Sequence, residues 1–580
     1  MQPKTWGYLG VLMILGWILR SWALDFGLPN ESRPDELQIT LFTIPNMLYP
    51  LSQGDFRMDP GHYNYPNLYF GVVTLLYFFY FVWGQLTGIF TGWPNFFAQY
   101  QNDPGSFFLL LRYFSVVCGV LTIPAVYLLG KKLGGSRIGF ISAGLITLCY
   151  LAVRNNHFGQ VDSFLTLVVM VSCLLILHYL EKPSLKRLTL MAVSAGLATA
   201  VKYPAILLIM PVLLSIVYAK KIDKDPTKQS WIHLLKPASL AILMIAGTFT
   251  LASPWVILHL DVFIKDLQYE AQHYFNTTYP GVSPGWAFYP FTALYEGIGG
   301  YLLLSVLLGL LATWKTFKQH SLLTRWKHIA MMSFLLIWYL SLCPNLRVMT
   351  RYILPVVPLL TIYGAVGLDT FYHRLIELLQ GQRSQKLQIG TGLVLALVIL
   401  YQPVTNMWQM NSLLNKADTR VLARQWILEH VPPNSGVATG PRFGRILLPG
   451  NYRQLLTDPG AADPNNPPTI LYQESPRVLI ANHLASANFL KQLGIRYALV
   501  YRFPIPQFSN ALWEFEALQQ QATIVAHWSA RKTNVTQFEN TLFDPMDAVF
   551  FPLSGFRHFQ RPGPDIWIFD LTQPPYSGKK

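Results

Sequence analysis

The chain has 580 residues, of which 52% are hydrophobic, 14% aromatic and only 13% charged, with a net charge of +15. A charged fraction about half that of soluble proteins excludes an ordinary soluble protein. The surplus Lys and Arg fall in short connections between apolar runs, so nucleic acid is excluded as a partner. Cys118, Cys149, Cys173 and Cys343 lie inside apolar stretches with no paired spacing, which indicates neither a disulfide framework nor a cysteine metal site.

Crossing the hydrocarbon layer takes roughly 20 apolar residues. In chain order such runs occupy 6–26, 106–130, 137–153, 161–180, 187–201, 204–219, 237–258, 299–314, 328–343, 352–369 and 387–403, predicting eleven crossings. The first run has no small-residue cleavage site, so it is expected to stay as a transmembrane helix. Just beyond it, Ser32-Arg33-Pro34-Asp35-Glu36 sets an acidic pair beside the bilayer, where ionisable groups tend to serve function.

Residues 67–91 are apolar enough to cross but are crowded with Tyr69, Phe70, Tyr77, Phe78, Phe79, Tyr80, Phe81 and Trp83, and no Lys or Arg follows in 92–104. Aromatic rings favour the membrane interface. This stretch is expected to lie along the outer surface or to re-enter; a true crossing paired with a second short one is the alternative.

Five alternate connections carry the basic residues: Lys131, Lys132 and Arg137; Lys182, Lys186 and Arg187; Lys220, Lys221, Lys224, Lys228 and Lys236; Lys315, Lys318, Arg325 and Lys327; and Arg374, Arg383 and Lys386. The positive-inside rule makes all five cytoplasmic. The N-terminus is then inside, and 259–298 and everything after 403 are outside. With that topology Asp35, Glu36, Arg112, Arg154, His157, Asp162, Lys202, Arg347 and Arg351 all fall at outer ends, where they are expected to line one outward-facing cavity. Fixed cations can hold a phosphate while a carboxylate takes a proton from an acceptor.

After Tyr401 the composition turns soluble, with an amphipathic helix expected near 418–431, a strand-helix-strand over Val478–Tyr501 and a terminal strand at Asp565–Leu571. This reads as an extracytoplasmic α/β domain over 404–580, following a membrane module over 1–403. It either helps to close the cavity over the acceptor or is a structural appendage. The outer loop 259–298 reads as a partly ordered flap in which Glu270 and His273 are candidate substrate contacts. The N-glycosylation patterns Asn276-Thr277-Thr278 and Asn534-Val535-Thr536 are given no meaning.

Five motifs occur in order: Arg33-Pro34-Asp35-Glu36; Tyr65-Pro66-Asn67-Leu68-Tyr69; Arg154-Asn155-Asn156-His157-Phe158-Gly159-Gln160-Val161-Asp162; Gly196 to Pro204 around Lys202; and Arg351-Tyr352-Ile353-Leu354-Pro355. Together they resemble the GT-C fold membrane glycosyltransferases, in particular glycosyltransferase family 39, the relatives of protein O-mannosyltransferases and of the lipid A aminoarabinose transferase. The resemblance covers roughly residues 1–405. It implies a sugar donor on polyprenyl phosphate, an acceptor protein, lipid or glycan on the outer face of the cell membrane, and inversion at the anomeric carbon.

By position, the resemblance implies Asp35 as general base, Glu36 as its orienting neighbour and Asp162 as a second acid. Lys202, Arg351 and Arg112 are implied at the donor phosphate, and His157 and Tyr65 near substrate. His62-Tyr63-Asn64-Tyr65-Pro66 stands where the aminoarabinose-transferase pattern has a Lys-Pro-Pro run, which leaves the phosphate-binding cation and the donor sugar open. No nucleotide fingerprint and no HExxH motif is present. No cofactor is required on this reading; a divalent cation on Asp35, Glu36 and Asp162 is an optional addition. The alternatives are a ligase for a whole lipid-linked glycan and a flippase or transporter, the latter expected to show internal repeats that this sequence lacks.

Overall fold

A computed structural model of the chain describes residues 3–223, 232–276, 282–378, 385–458, 461–505, 508–532, 541–545 and 550–574. Lys224, Lys228, Arg383, Thr277, Thr278 and the Asn534-Val535-Thr536 pattern lie outside the described residues, as does the side chain of His273. The chain divides into two compact units, one of Met1–Ser21, Leu41–Leu76 and Arg112–Met407, the other of Trp22–Thr40, Tyr77–Leu111 and Trp408–Lys580.

The first unit is a helical bundle. Among the described residues eight helices are long and apolar enough to cross a membrane, or nine if one bent pair counts as a single span. All eleven expected runs contain helix; the first ends at Ser21 rather than at 26, and its helix Pro3–Ser21 is not among the eight. Of the eleven, Leu185–Val201 has only 17 residues, and Leu322–Leu342 carries Arg325 and Lys327 in its first half. The aromatic stretch, expected at the surface or re-entrant, forms a continuous 20-residue helix, Asn67–Leu86, which is one of the eight by length and composition.

Two expected spans are not simple straight crossings. Residues 137–153 form two helices, Ser136–Thr147 and Tyr150–Asn156, bent by 53°. A break inside hydrocarbon leaves carbonyls that must find donors. Buried Arg20, at the end of the helix Pro3–Ser21, supplies them: Nη2 donates to Ile146 O at 3.0 Å and Nη1 to Thr147 O at 3.2 Å. The last run does not stop near Pro403 but continues as Gln385–Leu414. Beside the proline, Gln402 accepts from the Gly300 amide at 3.0 Å and donates to Tyr295 O at 3.1 Å, tying the helix to its neighbours where its own ladder is interrupted.

Small residues let other helices approach closely, as packing without a hydrophobic driving force requires. A Cβ on Gly309 would collide with the Tyr363 carbonyl and one on Gly367 with that of Ser305. Ser305 Oγ donates across the same contact to Gly364 O at 2.6 Å.

The second unit contains a seven-stranded sheet, in the order β3-β4-β2-β1-β5-β7-β6. Its strands are β1 Gly436–Pro441, β2 Arg453–Thr457, β3 Ile470–Ser475, β4 Val478–Ala481, β5 Ile495–Arg502, β6 Thr523–Trp528 and β7 Asp565–Asp570. The four central strands are parallel and the edge pairings antiparallel. Parallel strands need both faces covered. The helices Ala487–Gln492 and Leu512–Gln521 cover one face through Leu490 and Leu518, and Thr419–His430 covers the other through Ala423 and Ile427. The helix expected near 418–431, the strand-helix-strand over 478–501 and the terminal strand are all present.

Candidate functional site

The polar centre of the helical unit is built where helix ends meet. Gln160 is extended and precedes the helix Val161–Glu181, so Asp162 falls in its first turn, where the helix dipole favours a carboxylate. Lys202 is the extended residue that ends the helix Leu185–Val201. Arg351 enters from the short 3-10 turn Thr350–Val356.

These three meet in a buried cluster. Lys202 Nζ donates to Asp162 Oδ1 at 2.8 Å, and Arg351 Nε stands 3.8 Å from Asp162 Oδ2. Arg351 Nη1 donates to Gln160 Oε1 at 2.8 Å, and Gln160 Nε2 donates to Asn155 Oδ1 at 3.1 Å. The Lys202 ammonium also lies 5.5 Å from the Tyr65 ring centroid and 5.0 Å from that of Tyr352, within cation–π range. Two cations and one carboxylate leave one net positive charge in a buried place. Asp162 Oδ2 is buried with no hydrogen-bond partner among the described residues.

The cluster stands at the far end of the bundle from the basic connections. Glu181, which ends the helix whose first turn holds Asp162, accepts from Lys132 at 2.6 Å and from Lys327 at 2.7 Å. A 21-residue helix is roughly 30 Å long, the thickness of the hydrocarbon layer. The ion pairs thus gather three of the connections expected to share a side, and Asp162 lies one helix length away.

The remaining candidates divide as follows. His157 is buried, and its Nδ1 donates to Val153 O at 2.9 Å, which fixes the ring at the end of the helix Tyr150–Asn156. Arg112 is buried on the helix Gly105–Gly134. Glu270, on the helix Leu260–Asn276 of the loop read as a flap, accepts from Asn64 Nδ2 at 3.0 Å, beside Tyr65. That helix also docks onto the turn before the cluster: Tyr274 O accepts from the Leu346 amide at 2.8 Å, and Tyr274 Oη donates to Tyr352 Oη at 2.9 Å. His273 shares the helix.

Asp35 and Glu36 belong to the other unit. Pro34 opens the helix Pro34–Thr43, the position where a missing N–H costs nothing, and the acids occupy its first turn. Glu36 is buried, its Oε2 accepting from the Ser32 amide at 3.0 Å; Asp35 is 8% exposed. Upstream, burial pushes the Glu31 carboxyl up to about 7 against the pull of Arg445 and Arg420.

Two residues escaped the sequence reading. Arg20 donates through Nε to Asn156 Oδ1 at 2.8 Å, and Asn156 in turn donates to Ser163 Oγ at 2.8 Å, bracing both sides of the segment that ends at Asp162. Tyr274 supports Tyr352 from a helix read as a loop. Asp162 is a poor ligand for a divalent cation, since two cations already face its carboxylate. Among the described residues no group of three or more His, Cys, Asp or Glu is placed to hold a metal.

Residues 105–249 match the family described as dolichyl-phosphate-mannose-protein mannosyltransferase. No curated protein matches the chain. Among solved structures, ArnT of Cupriavidus metallidurans in the apo state is similar with a TM-score of 0.52 at 13% identity, over 100% of this chain and 99% of that one. The oligosaccharyltransferase of Archaeoglobus fulgidus, tethered with an acceptor peptide containing the NVT sequon, gives 0.51 at 14% identity, over 86% of this chain and 69% of that one. The chain has the GT-C fold that its motifs suggested, and the family match covers residues 105–249, about a quarter of its length.

Proposed function

We propose that the protein transfers a sugar from a polyprenyl-phosphate donor to an acceptor on the outer face of the cell membrane, with inversion. The observation that carries this reading is the buried Asp162–Lys202–Arg351 cluster, whose net positive charge and planar Arg fork suit a phosphate monoester or diester. The family description, a transferase using dolichyl-phosphate mannose, supports the same donor class.

In this reading Asp35 takes the proton of the acceptor hydroxyl. The freed oxygen attacks the anomeric carbon from the face opposite the phosphate, the carbon–oxygen bond to the phosphate breaks, and the polyprenyl phosphate departs with its charge held by Lys202 and Arg351. Glu36, by accepting from the Ser32 amide, fixes the helix turn that carries Asp35. No step calls on a metal. The N-terminus is cytoplasmic, and the first loop and the sheet domain are extracytoplasmic.

Purified protein should turn over a short-chain polyprenyl-phosphate sugar in detergent, while folded Asp35→Asn should lose 10²- to 10⁴-fold, the usual worth of a general base. Equal turnover by both would refute the assignment. Turnover only with a lipid-linked oligosaccharide would establish the ligase instead, and lipid translocation without a new glycosidic bond would establish the flippase.

A further inference from the structure

The segment that leads to Asp35 is gripped by the sheet domain. Arg420 is buried in the first turn of the helix Thr419–His430, and its guanidinium is fixed by Asp418: Nε donates to Oδ1 at 3.1 Å and Nη2 to Oδ2 at 2.9 Å. The Phe550 ring lies 4.0 Å from its central carbon. Asp418 thereby supplies the counter-charge that a buried guanidinium requires. One further donor, Nη1, reaches out of this pair to the backbone carbonyl of Glu31 at 2.7 Å.

A second hold lies one residue earlier, where Asn30 Oδ1 accepts from the Leu447 amide at 2.8 Å. Gly27 has φ +70°, and a Cβ there would lie 3.3 Å from Arg420 Nη2 and 3.4 Å from Asp418 Oδ2, so the loop runs hard against the pair. From Glu31 the path onward is short and stiff. The next amide, Ser32, donates to Glu36, and Pro34 then sets the first turn of the helix bearing Asp35.

We propose that Arg420 is a positioning residue for the first-loop carboxylate: by holding the Glu31 carbonyl it fixes the start of the helix Pro34–Thr43, and so makes the sheet domain part of the catalytic apparatus. The proposal rests on the reading of Asp35 as base. A domain that merely hung from the last helix would have no need to bind this loop through a buried guanidinium. Misplacement of a reacting group by about 1 Å costs on the order of 100-fold in rate.

The test uses the full-length protein in detergent, with kcat and KM for a short-chain polyprenyl-phosphate sugar and amide hydrogen exchange over residues 22–40. Arg420→Ala should lower kcat by 10- to 100-fold with donor KM changed less than twofold, and speed exchange at Ser32 and Glu36. Arg420→Lys, which keeps one donor for the carbonyl, should recover part of kcat. Leu518→Ala, in the core on the opposite face of the sheet, should lower the melting midpoint and leave kcat in place. Undiminished kcat in Arg420→Ala, or an equal fall in Leu518→Ala at matched loss of melting midpoint, would overturn the proposal. Normal turnover by Asp35→Asn would instead remove the base assignment, while the exchange measurement would still report whether Arg420 holds the loop; unchanged exchange beside an inactive Asp35→Asn would sink the proposal alone.

Discussion

Lys202→Met, taken alone and together with Asp162→Asn, separates a phosphate-binding lysine from a structural one. In the single variant a buried carboxylate loses its partner at 2.8 Å and keeps Arg351 at 3.8 Å. Breaking a buried pair in this way costs about 3–5 kcal/mol, whereas removing both charges is often nearly neutral. Thermal stability should therefore fall in Lys202→Met and largely return in the double variant. Donor affinity should behave differently. A hydrogen bond to a charged group is worth roughly 1.5–3 kcal/mol, so loss of the ammonium should weaken donor binding by about 10- to 150-fold. The double variant regains the net charge of the cluster but not the ammonium donor, so its affinity should stay below that of wild type by that hydrogen bond. The assay is a thermodynamic cycle: donor Kd by titration and melting midpoint for wild type, both single variants and the double. Donor affinity that recovers in step with stability would show that Lys202 only balances Asp162.

Other outcomes follow from the same geometry. A Cβ on Gly119 would collide with Asn156 Oδ1, so Gly119→Ala should cut turnover more than stability by displacing the residue that links Arg20 to Ser163; equal loss of both, measured by kcat and melting midpoint, would show that the contact is packing alone. The Glu31 carboxyl is raised to about 7, so the stability it contributes is full below its unfolded value near 4.5 and lost as pH rises through 7, roughly 3 kcal/mol in all. Glu31→Gln should accordingly gain on wild type in melting midpoint as pH rises from 5 to 8, and a constant gap would refute the burial argument. Excess EDTA should leave turnover unchanged, because the Asp162 carboxylate is already faced by Lys202 and Arg351; loss restored by added Mg²⁺ or Mn²⁺ would refute this.

The motifs carried more of the site than their separation suggests. Asp162, Lys202 and Arg351 were legible by residue type and by their placement at ends of apolar runs, and the sheet domain's helix at 419–430 and strand-helix-strand at 478–501 announced themselves by local pattern. The bend after Thr147 did not, because Leu148-Cys149 contains neither Gly nor Pro and hydropathy alone reads through it. The donor that satisfies its carbonyls lies elsewhere in the chain, in Arg20, whose local surroundings look like any helix end. The grip of Arg420 on Glu31 is equally invisible, since the partners are 389 residues apart and one of them is a backbone carbonyl.

Arg20 also constrains biosynthesis. Its acceptors Ile146, Thr147 and Asn156 are made 126 to 136 residues after it. At 5–20 residues per second that is an interval of roughly 6 to 27 s. During it the guanidinium has an acceptor in its own helix, Gly16 O at 3.2 Å, and it completes its hydrogen bonding only when the bent pair of helices is made.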